Sequence, residues 1–375
     1  MRIAFDLRRI GNPGIGRYMK CLTEAVTAQA PENEYLLILP PDGDDLVNAP
    51  GVKKICSPVK YYSVREQVEL PRILRRHKVD LLHSPHFLLP LLRSCPAVAT
   101  IHDVIYLACP QDLPSRVGRL YYRAMMKACA RMATRIITDS EHSKSEIASY
   151  LRADPERIDV IYPGVDPVFA PVTDAEQLGA VRSRFGIDRE FILCVGIYKL
   201  RKNHAGLLRA FQRCLAIGIH AQLVIAGPMA EGEAVLRHLA AELGVAEHVV
   251  FTGFVNDADL RALYSAARVC VCPSLYEGFG FTVLEAMACG APVVCSRATS
   301  LPEVAGQAAL YCDPHDPDGM ASQLVHVFSD DALRAALIEQ GRHNLQRFNW
   351  AETARQTLAV YHQALHLPMP KAVYA

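Results

Sequence analysis

Residues 269–295 read VCVCPSLYEGFGFTVLEAMACGAPVVC, and the order of residue types in that stretch decides the architecture. Residues 269–272 are a short apolar run of strand character that ends at Pro273. A loop carrying Gly278 and Gly280 then leads into a helical run over 281–289, which stops at Gly290, and residues 292–295 begin another apolar strand. Strand, glycine loop, helix and strand in that order is the repeating unit of a parallel sheet. Gly278 and Gly280 let the backbone approach a ligand with no Cβ in the way. The helix start near Phe281 and Thr282 offers unpaired N–H groups and the positive end of a helix dipole, a setting that suits a phosphate. Glu277 in the loop and Glu285 in the second helical turn add carboxylates able to accept from sugar and ribose hydroxyls.

The alternation extends in both directions. Strands are expected at 191–195, 222–226, 249–252 and 309–311, with helices near 203–217, 232–243, 257–267 and 317–328. In the first half, strands are expected at 3–5, 35–39, 81–83, 97–101, 135–138 and 158–161, with helices near 15–29, 65–77, 116–134 and 141–150. One α/β architecture is thus built twice, as the 375-residue length requires, since it exceeds what one compact core usually supports. The segment 162–171, YPGVDPVFAP, is dense in Pro and Gly and has no helical or strand period, so it reads as the linker. A last helical stretch, 332–366, is long enough to cross back to the first domain.

Apolar residues make up 51% of the chain and charged ones 21%, which marks an ordered globular protein. A formal charge of +1 gives no electrostatic case for nucleic acid. Residues 1–165 carry an excess of basic residues and the remainder an excess of acidic ones, so the first half should favour an anionic partner. The 12 cysteines show neither zinc nor thioredoxin spacing and read as buried core thiols in a reducing compartment. The opening MRIAFDL alternates as a strand does and lacks the long apolar core of a secretory signal. No run approaches about 18 uninterrupted apolar residues, so no transmembrane helix is expected, and the location expected is cytoplasmic.

Residues 195–203, VGIYKLRKN, repeat the pattern of strand, glycine turn and helix start. Their adjacent cations Arg201 and Lys202 can neutralise charge that develops on a leaving group, so no metal or other cofactor is called for. In the first half, NPGIGRY at 12–18 follows the first strand and opens a helix, so amides around Gly14 and Gly16 can reach a phosphate. His102 and Asp103 end an apolar strand at the edge where open α/β sheets place ligands. His102 could serve such a ligand or be a satisfied structural histidine, and Asp103 could orient its imidazole or meet an acceptor. Arg116, Arg119, Arg123, Lys127, Arg131 and Arg135 recur every three or four residues with no intervening acid, which makes a basic stripe on a helix.

These motifs together resemble glycosyltransferase family 4, retaining enzymes of GT-B fold, and the resemblance covers nearly the whole chain. It implies two Rossmann-like, doubly wound parallel-sheet domains facing a central cleft, with a C-terminal helix crossing back. The corresponding spans are 1–165 for the acceptor-binding domain, 166–350 for the nucleotide-sugar donor domain, and 351–375 for the returning helix and tail. By this resemblance Glu277 contacts donor sugar hydroxyls, and Gly278, Phe279, Gly280, Phe281 and Thr282 line the sugar and phosphate pocket. Glu285 holds the ribose diol, Gly196 with Arg201 and Lys202 receives the diphosphate, and Phe254 and Val255 border the base. His102 lies beside the donor sugar and the reacting oxygens, while Arg17, Tyr18 and Asp103 fall on the acceptor side.

Many relatives carry an Arg directly after Gly196, where this chain has Ile197, a form that resembles the mannosyltransferase-like branch. The expected activity is therefore retaining, metal-independent transfer of a hexose, mannose from GDP-mannose, to a glycan or polyprenyl-linked oligosaccharide in surface polysaccharide synthesis. UDP-sugar-dependent transfer and epimerisation of a nucleotide sugar remain open at this point. The basic helix 116–135 suits peripheral contact with an anionic membrane at its inner face; a solvated face with buried stems is the other reading.

Overall fold

A computed structural model describes residues 1–366 apart from 13, 60, 114, 230 and 231; Pro13 of the first glycine turn and the tail 367–375 lie outside the described residues. The chain forms two compact units. One comprises Met1–Ala108, Leu113–Gly164 and Phe348–Ala375, the other Cys109–Asp112 and Val165–Arg347.

The first unit is built on seven parallel strands: β1 Arg2–Asp6, β2 Glu34–Leu39, β3 Lys53–Cys56, β4 Leu81–Ser84, β5 Ala97–Thr100, β6 Arg135–Thr138 and β7 Ile158–Val160. Their order is β3-β2-β1-β4-β5-β6-β7. Six more strands form the sheet of the second unit: β8 Phe191–Val195, β9 Gln222–Ala226, β10 Val249–Gly253, β11 Val269–Cys272, β12 Val293–Ser296 and β13 Ala309–Cys312. Their order is β10-β9-β8-β11-β12-β13, again all parallel. Helices cover both faces of such sheets, so central strands such as β5 and β9 are buried along their whole length and read as near-continuous apolar runs. In each sheet the order of strand addition reverses once, between β1 and β4 and between β8 and β11. A ligand crevice opens at the carboxyl ends of strands flanking such a reversal.

Several local features depart from the sequence reading. Strand β3, KKIC, was not expected; its lysines are exposed because it is an edge strand, where charge discourages further pairing. Cys56 on that strand is exposed, a correction to the reading of all the cysteines as core, whereas the other free cysteines are buried. Helix Ala175–Phe185, capped by Asp174 and ended by left-handed Gly186, was also not anticipated. Helix Arg116–Met132 ends before Arg135, which lies in β6 and pairs with Asp159, so Arg135 is not part of the basic stripe.

The stretch 332–366 is two helices, Asp331–Leu345 and Trp350–Ala364, separated where Asn349 Oδ1 accepts from the Ala351 N–H at 2.8 Å as an N-cap. The second of these belongs to the first unit. It packs along helix Ile15–Gln29, its Thr353 Oγ1 donates to Tyr162 O at 2.7 Å, and Tyr361 Oη meets the buried His83 Nδ1 at 2.6 Å. Among the described residues no helix is long and apolar enough to cross a membrane.

Gly164 is where the first unit receives this helix. A Cβ there would sit 2.5 Å from Trp350 N and 2.6 Å from its indole, and a backbone atom at a helix start cannot yield as a side-chain tip can. Gly164→Ala should therefore destabilise the first unit by about 1–3 kcal/mol through overpacking. Urea denaturation checks this, and an unchanged midpoint would show that the helix does not bear on Gly164.

Candidate functional site

The reversal between β8 and β11 brings two loops together. After β8 the chain passes Gly196 and forms a short 3-10 turn, Leu200–Lys202, before helix His204–Ala216; after β11 it runs through Ser274 to Glu277. The Leu275 N–H donates to Arg201 O at 2.7 Å, and Asn203 Nδ2 donates to Pro273 O at 3.1 Å, so main chain and side chain both stitch the loops. Lys202 Nζ then reaches Glu277 Oε1 at 2.6 Å, Arg201 Nη1 stands 3.5 Å from Glu277 Oε2, and Ser274 Oγ donates to Glu277 Oε1 at 2.6 Å. Glu277 is 7% exposed. Burial pushes its carboxyl up, but the Lys202 ammonium and Arg201 guanidinium outweigh that and hold its pKa below the ordinary carboxylate value. Glu277 is thus an ionised carboxylate held in one place.

The loop that follows is equally fixed. Glu277 N–H donates to Thr299 Oγ1, and the buried Ser300 Oγ lies within hydrogen-bond distance of both Glu277 O and Phe279 O. Gly280 takes a φ of 113° before helix Phe281–Ala288, and a Cβ there would lie 2.8 Å from Leu301 Cδ2, so this entry to the helix requires glycine. No side chain caps that helix start, which leaves the N-terminal amides of Phe281 and Thr282 as the natural place for an anion. Glu285, one turn along, accepts from Tyr264 Oη at 3.0 Å. Gly196 follows β8, and Phe254 and Val255 follow β10, with Phe254 76% exposed.

Arg201, Lys202 and Glu277 therefore meet directly, and Glu285 and Thr282 stand on the helix that begins beside them. Asp112 joins the group unannounced by any motif: its buried Oδ2 lies 2.9 Å from Arg201 Nε, as an ion pair in which neither atom is hydrogen-bonded. Tyr264 was likewise missed. Its only signal in sequence is a tyrosine on a helix next to β11, which does not reveal its partner.

In the first unit, His102 follows β5 and its Nδ1 lies 2.7 Å from Asp139 Oδ2, with Asp139 placed after the neighbouring β6. The partner of Nδ1 is thus Asp139, and Asp103 Oδ1 accepts from the Ile105 N–H at 2.9 Å. Position at adjacent strand ends was the available signal for Asp139. Burial works against protonation of His102, but Asp139, with a smaller contribution from the Asp103 charge and the neighbouring backbone, more than offsets it, so the pKa lies above the ordinary histidine value. His102 Nε2 is buried with no protein partner.

Tyr18, expected on the acceptor side, is 1% exposed and meets the His102 ring edge-on at 4.7 Å. It packs against the imidazole and is almost wholly buried. Arg17 beside it is half-buried. Gly14 opens helix Ile15–Gln29 with a φ of 76°, and a Cβ on Gly16 would lie 1.9 Å from Ile10 O, so packing alone already demands glycine at position 16. Asp139→Asn should lower the His102 pKa, because the charge that raises it is gone. Imidazole titration by NMR measures this, and an unmoved midpoint would mean that Asp139 does not set the protonation of His102.

Two family descriptions match this chain: Glycosyl transferases group 1 over residues 181–344 and Glycosyltransferase Family 4 over residues 14–169. O-antigen chain mannosyltransferase B of Escherichia coli is 35% identical over 290 residues, covering 77% of this chain and 75% of the relative. Among solved structures, a sucrose-phosphate synthase from Thermosynechococcus elongatus superposes with a TM-score of 0.76 at 22% identity over 98% of this chain and 99% of the other. Anabaena HepE in complex with UDP does so with a TM-score of 0.74 at 20% identity over 96% and 99%. With that relative, those matches and the two reversed parallel sheets, the chain belongs to glycosyltransferase family 4, of GT-B fold.

Proposed function

We propose that the protein transfers a hexose, mannose from GDP-mannose, with retention of configuration, to a glycan or lipid-linked oligosaccharide in surface polysaccharide synthesis. The observation that carries this reading is the meeting of Lys202, Arg201 and Glu277 at the β8/β11 reversal, before an uncapped helix start. Two cations and helix amides offer a diphosphate what it needs as a leaving group, with charge stabilisation in place before the bond breaks. The cation pair supplies this electrostatic role without a metal ion. Glu277, ionised and immobile, is suited to hold sugar hydroxyls, and Glu285 to hold a ribose diol. The relationship to an O-antigen mannosyltransferase of Escherichia coli favours mannose and a polysaccharide product; the UDP bound to Anabaena HepE favours a uridine donor as the second reading.

In the proposed reaction the bond from the sugar C1 to the diphosphate oxygen breaks, and a bond from C1 to the acceptor oxygen forms on the same face. The acceptor proton passes to the departing phosphate oxygen. Glu277 then orients the sugar and forms no covalent intermediate. On the first unit, exposed Val117 and Leu120 of helix Arg116–Met132 share an exposed surface with Arg116 and Arg123, which supports peripheral contact with anionic lipid.

Glu277→Gln keeps the side chain's size and removes its charge. It should lower turnover about a hundredfold or more while nucleotide binding is largely retained; equal loss of both would remove Glu277 from the role given to it. Thermal denaturation with GDP-mannose, UDP-glucose and ADP-glucose tests the donor, since a ligand of the folded state raises its melting temperature. GDP-mannose should give the largest rise, and turnover should survive EDTA. A larger rise with UDP-glucose would replace mannose by the uridine reading, and loss of turnover in EDTA, restored by added divalent cation, would overturn metal independence.

A further inference from the structure

The first unit has its own reversal, between β1 and β4, and the side chains gathered there differ in kind from those of the second unit. Arg8, just beyond β1, is 7% exposed and makes a two-pronged pair with Asp6, Nε to Oδ1 and Nη2 to Oδ2, each at 2.8 Å. The same guanidinium lies 3.3 Å from Glu66 Oε2, donates to Val59 O and stacks over the Tyr61 ring at 4.4 Å. Its charge is thus met by two buried carboxylates, and the group serves as scaffold.

That scaffold holds a strained residue. Tyr62 has a φ of 62°, a left-handed conformation that a bulky side chain adopts only when its surroundings impose it. The restraints on view are the rings packed around it and the hydrogen bond that its hydroxyl accepts from Arg9. The outcome is an aromatic ring 41% exposed at the carboxyl edge of the sheet, ringed by Tyr61, Phe87 and Tyr121 at centroid distances of about 6 Å.

Polar groups converge beside it. Arg9 Nη1 donates to Tyr62 Oη at 2.8 Å and lies 3.2 Å from His86 Nε2. A guanidinium can only donate, so His86 Nε2 accepts and the neutral ring carries its proton on Nδ1. Burial, with Arg9 nearby, pushes the His86 pKa well down and keeps the ring neutral. His86 is 3% exposed, and its Nδ1 has no partner. The formal charges of Asp6, Arg8, Arg9 and Glu66 cancel, so this surface does not select an anion. An aromatic face with hydroxyl-seeking donors around it selects a ring with apolar C–H bonds on one side and hydroxyls at its rim.

We propose that this cluster is a carbohydrate subsite that seats one neutral pyranose of the acceptor, its C–H face on Tyr62 and its hydroxyls on Arg9, whose guanidinium the buried His86 ring holds in place. The proposal rests on the reading of the protein as a transferase to a glycan, and it assigns the acceptor's recognised portion to sugar and not to lipid or phosphate. Arg9, Tyr62 and His86 are the residues that determine it.

Saturation-transfer NMR on the full chain without nucleotide, with methyl α-mannopyranoside and inorganic phosphate as separate probes, tests it directly. The mannoside should receive saturation in the wild type and in Tyr62→Phe, which keeps the ring, and should lose it in Tyr62→Gly. Tyr62→Gly relieves the positive φ, so its melting temperature should hold or rise, which separates loss of the subsite from loss of the fold. In turnover assays the acceptor KM should rise about tenfold in Tyr62→Gly with donor KM unchanged, a change corresponding to about 1.4 kcal/mol.

Mannoside binding in the absence of any transfer would sink the proposed function and leave the subsite standing. Transfer with unchanged acceptor KM in Tyr62→Gly would overturn the subsite and leave the function standing. Binding of phosphate and not of mannoside would overturn it in favour of an anionic acceptor group.

Discussion

The contact on which the second unit's site depends is the one between Lys202 Nζ and the buried Glu277 carboxylate. It spans the reversal of the sheet and joins the loop after β8 to the loop after β11. Removing either member would leave a charge in a place from which water is mostly excluded, and breaking such a pair costs far more than the pair's net contribution to stability. The arrangement therefore buys placement more than stability. Ser274, Thr299 and Ser300 continue the same function outward, fixing the loop so that Gly280 can deliver the chain to a helix whose first amides no side chain caps.

The two units show how one topology holds different chemistry. Both sheets reverse once, and at both reversals the loops after the flanking strands carry the polar residues. In the second unit these are cations and carboxylates in near balance: Arg201 and Lys202 against Glu277 and Asp112. In the first unit the ionic pairs of Arg8 are buried as scaffold, and the more exposed residues are Tyr62 and Arg9, with a buried neutral imidazole behind Arg9. His102 stands one strand further along, hydrogen-bonded to Asp139 and in edge-on contact with Tyr18. The fold specifies where a site forms; the short loops specify what it can bind.

The central strands were legible because both faces of a parallel sheet are covered, so QLVIA and VCVC have one dominant reading. Lys53–Cys56 was not, since an edge strand with lysines lacks the apolar run that marks its neighbours. The split of 332–366 was missed because neither Gly nor Pro punctuates it; the signal was Asn349 followed by Glu352, a cap preceding a helical run. Of the site, the members contiguous in sequence, Glu277 to Glu285 and Arg201 with Lys202, could be read from their strand, loop and helix context. Asp112, Asp139 and Tyr264 could not, because each acquires its meaning from a partner between 21 and 89 positions away. Tyr62 and His86 were invisible for a further reason: one depends on a backbone angle and the other on its contact with Arg9, and neither leaves a mark in residue spacing.

The near balance of charge at the second unit's site has a consequence for ligand entry. Arg201 is held by Asp112 and Glu277 and donates from Nη1 to Tyr276 O at 3.3 Å, and Lys202 is held by Glu277, so the cations proposed to receive a diphosphate are already engaged. The engagement is uneven. Lys202 and Glu277 are hydrogen-bonded, whereas the Arg201 Nε to Asp112 contact is electrostatic without hydrogen-bond geometry. A guanidinium offers five donors in a rigid fork, and an oxyanion that aligned with them would gain directional bonds that Asp112 does not make. Under the proposed function, Arg201 would then be the cation to turn toward an incoming phosphate, while Lys202 would keep Glu277 in place. On this division of labour two adjacent cations are not redundant: the first can exchange partners because the second does not.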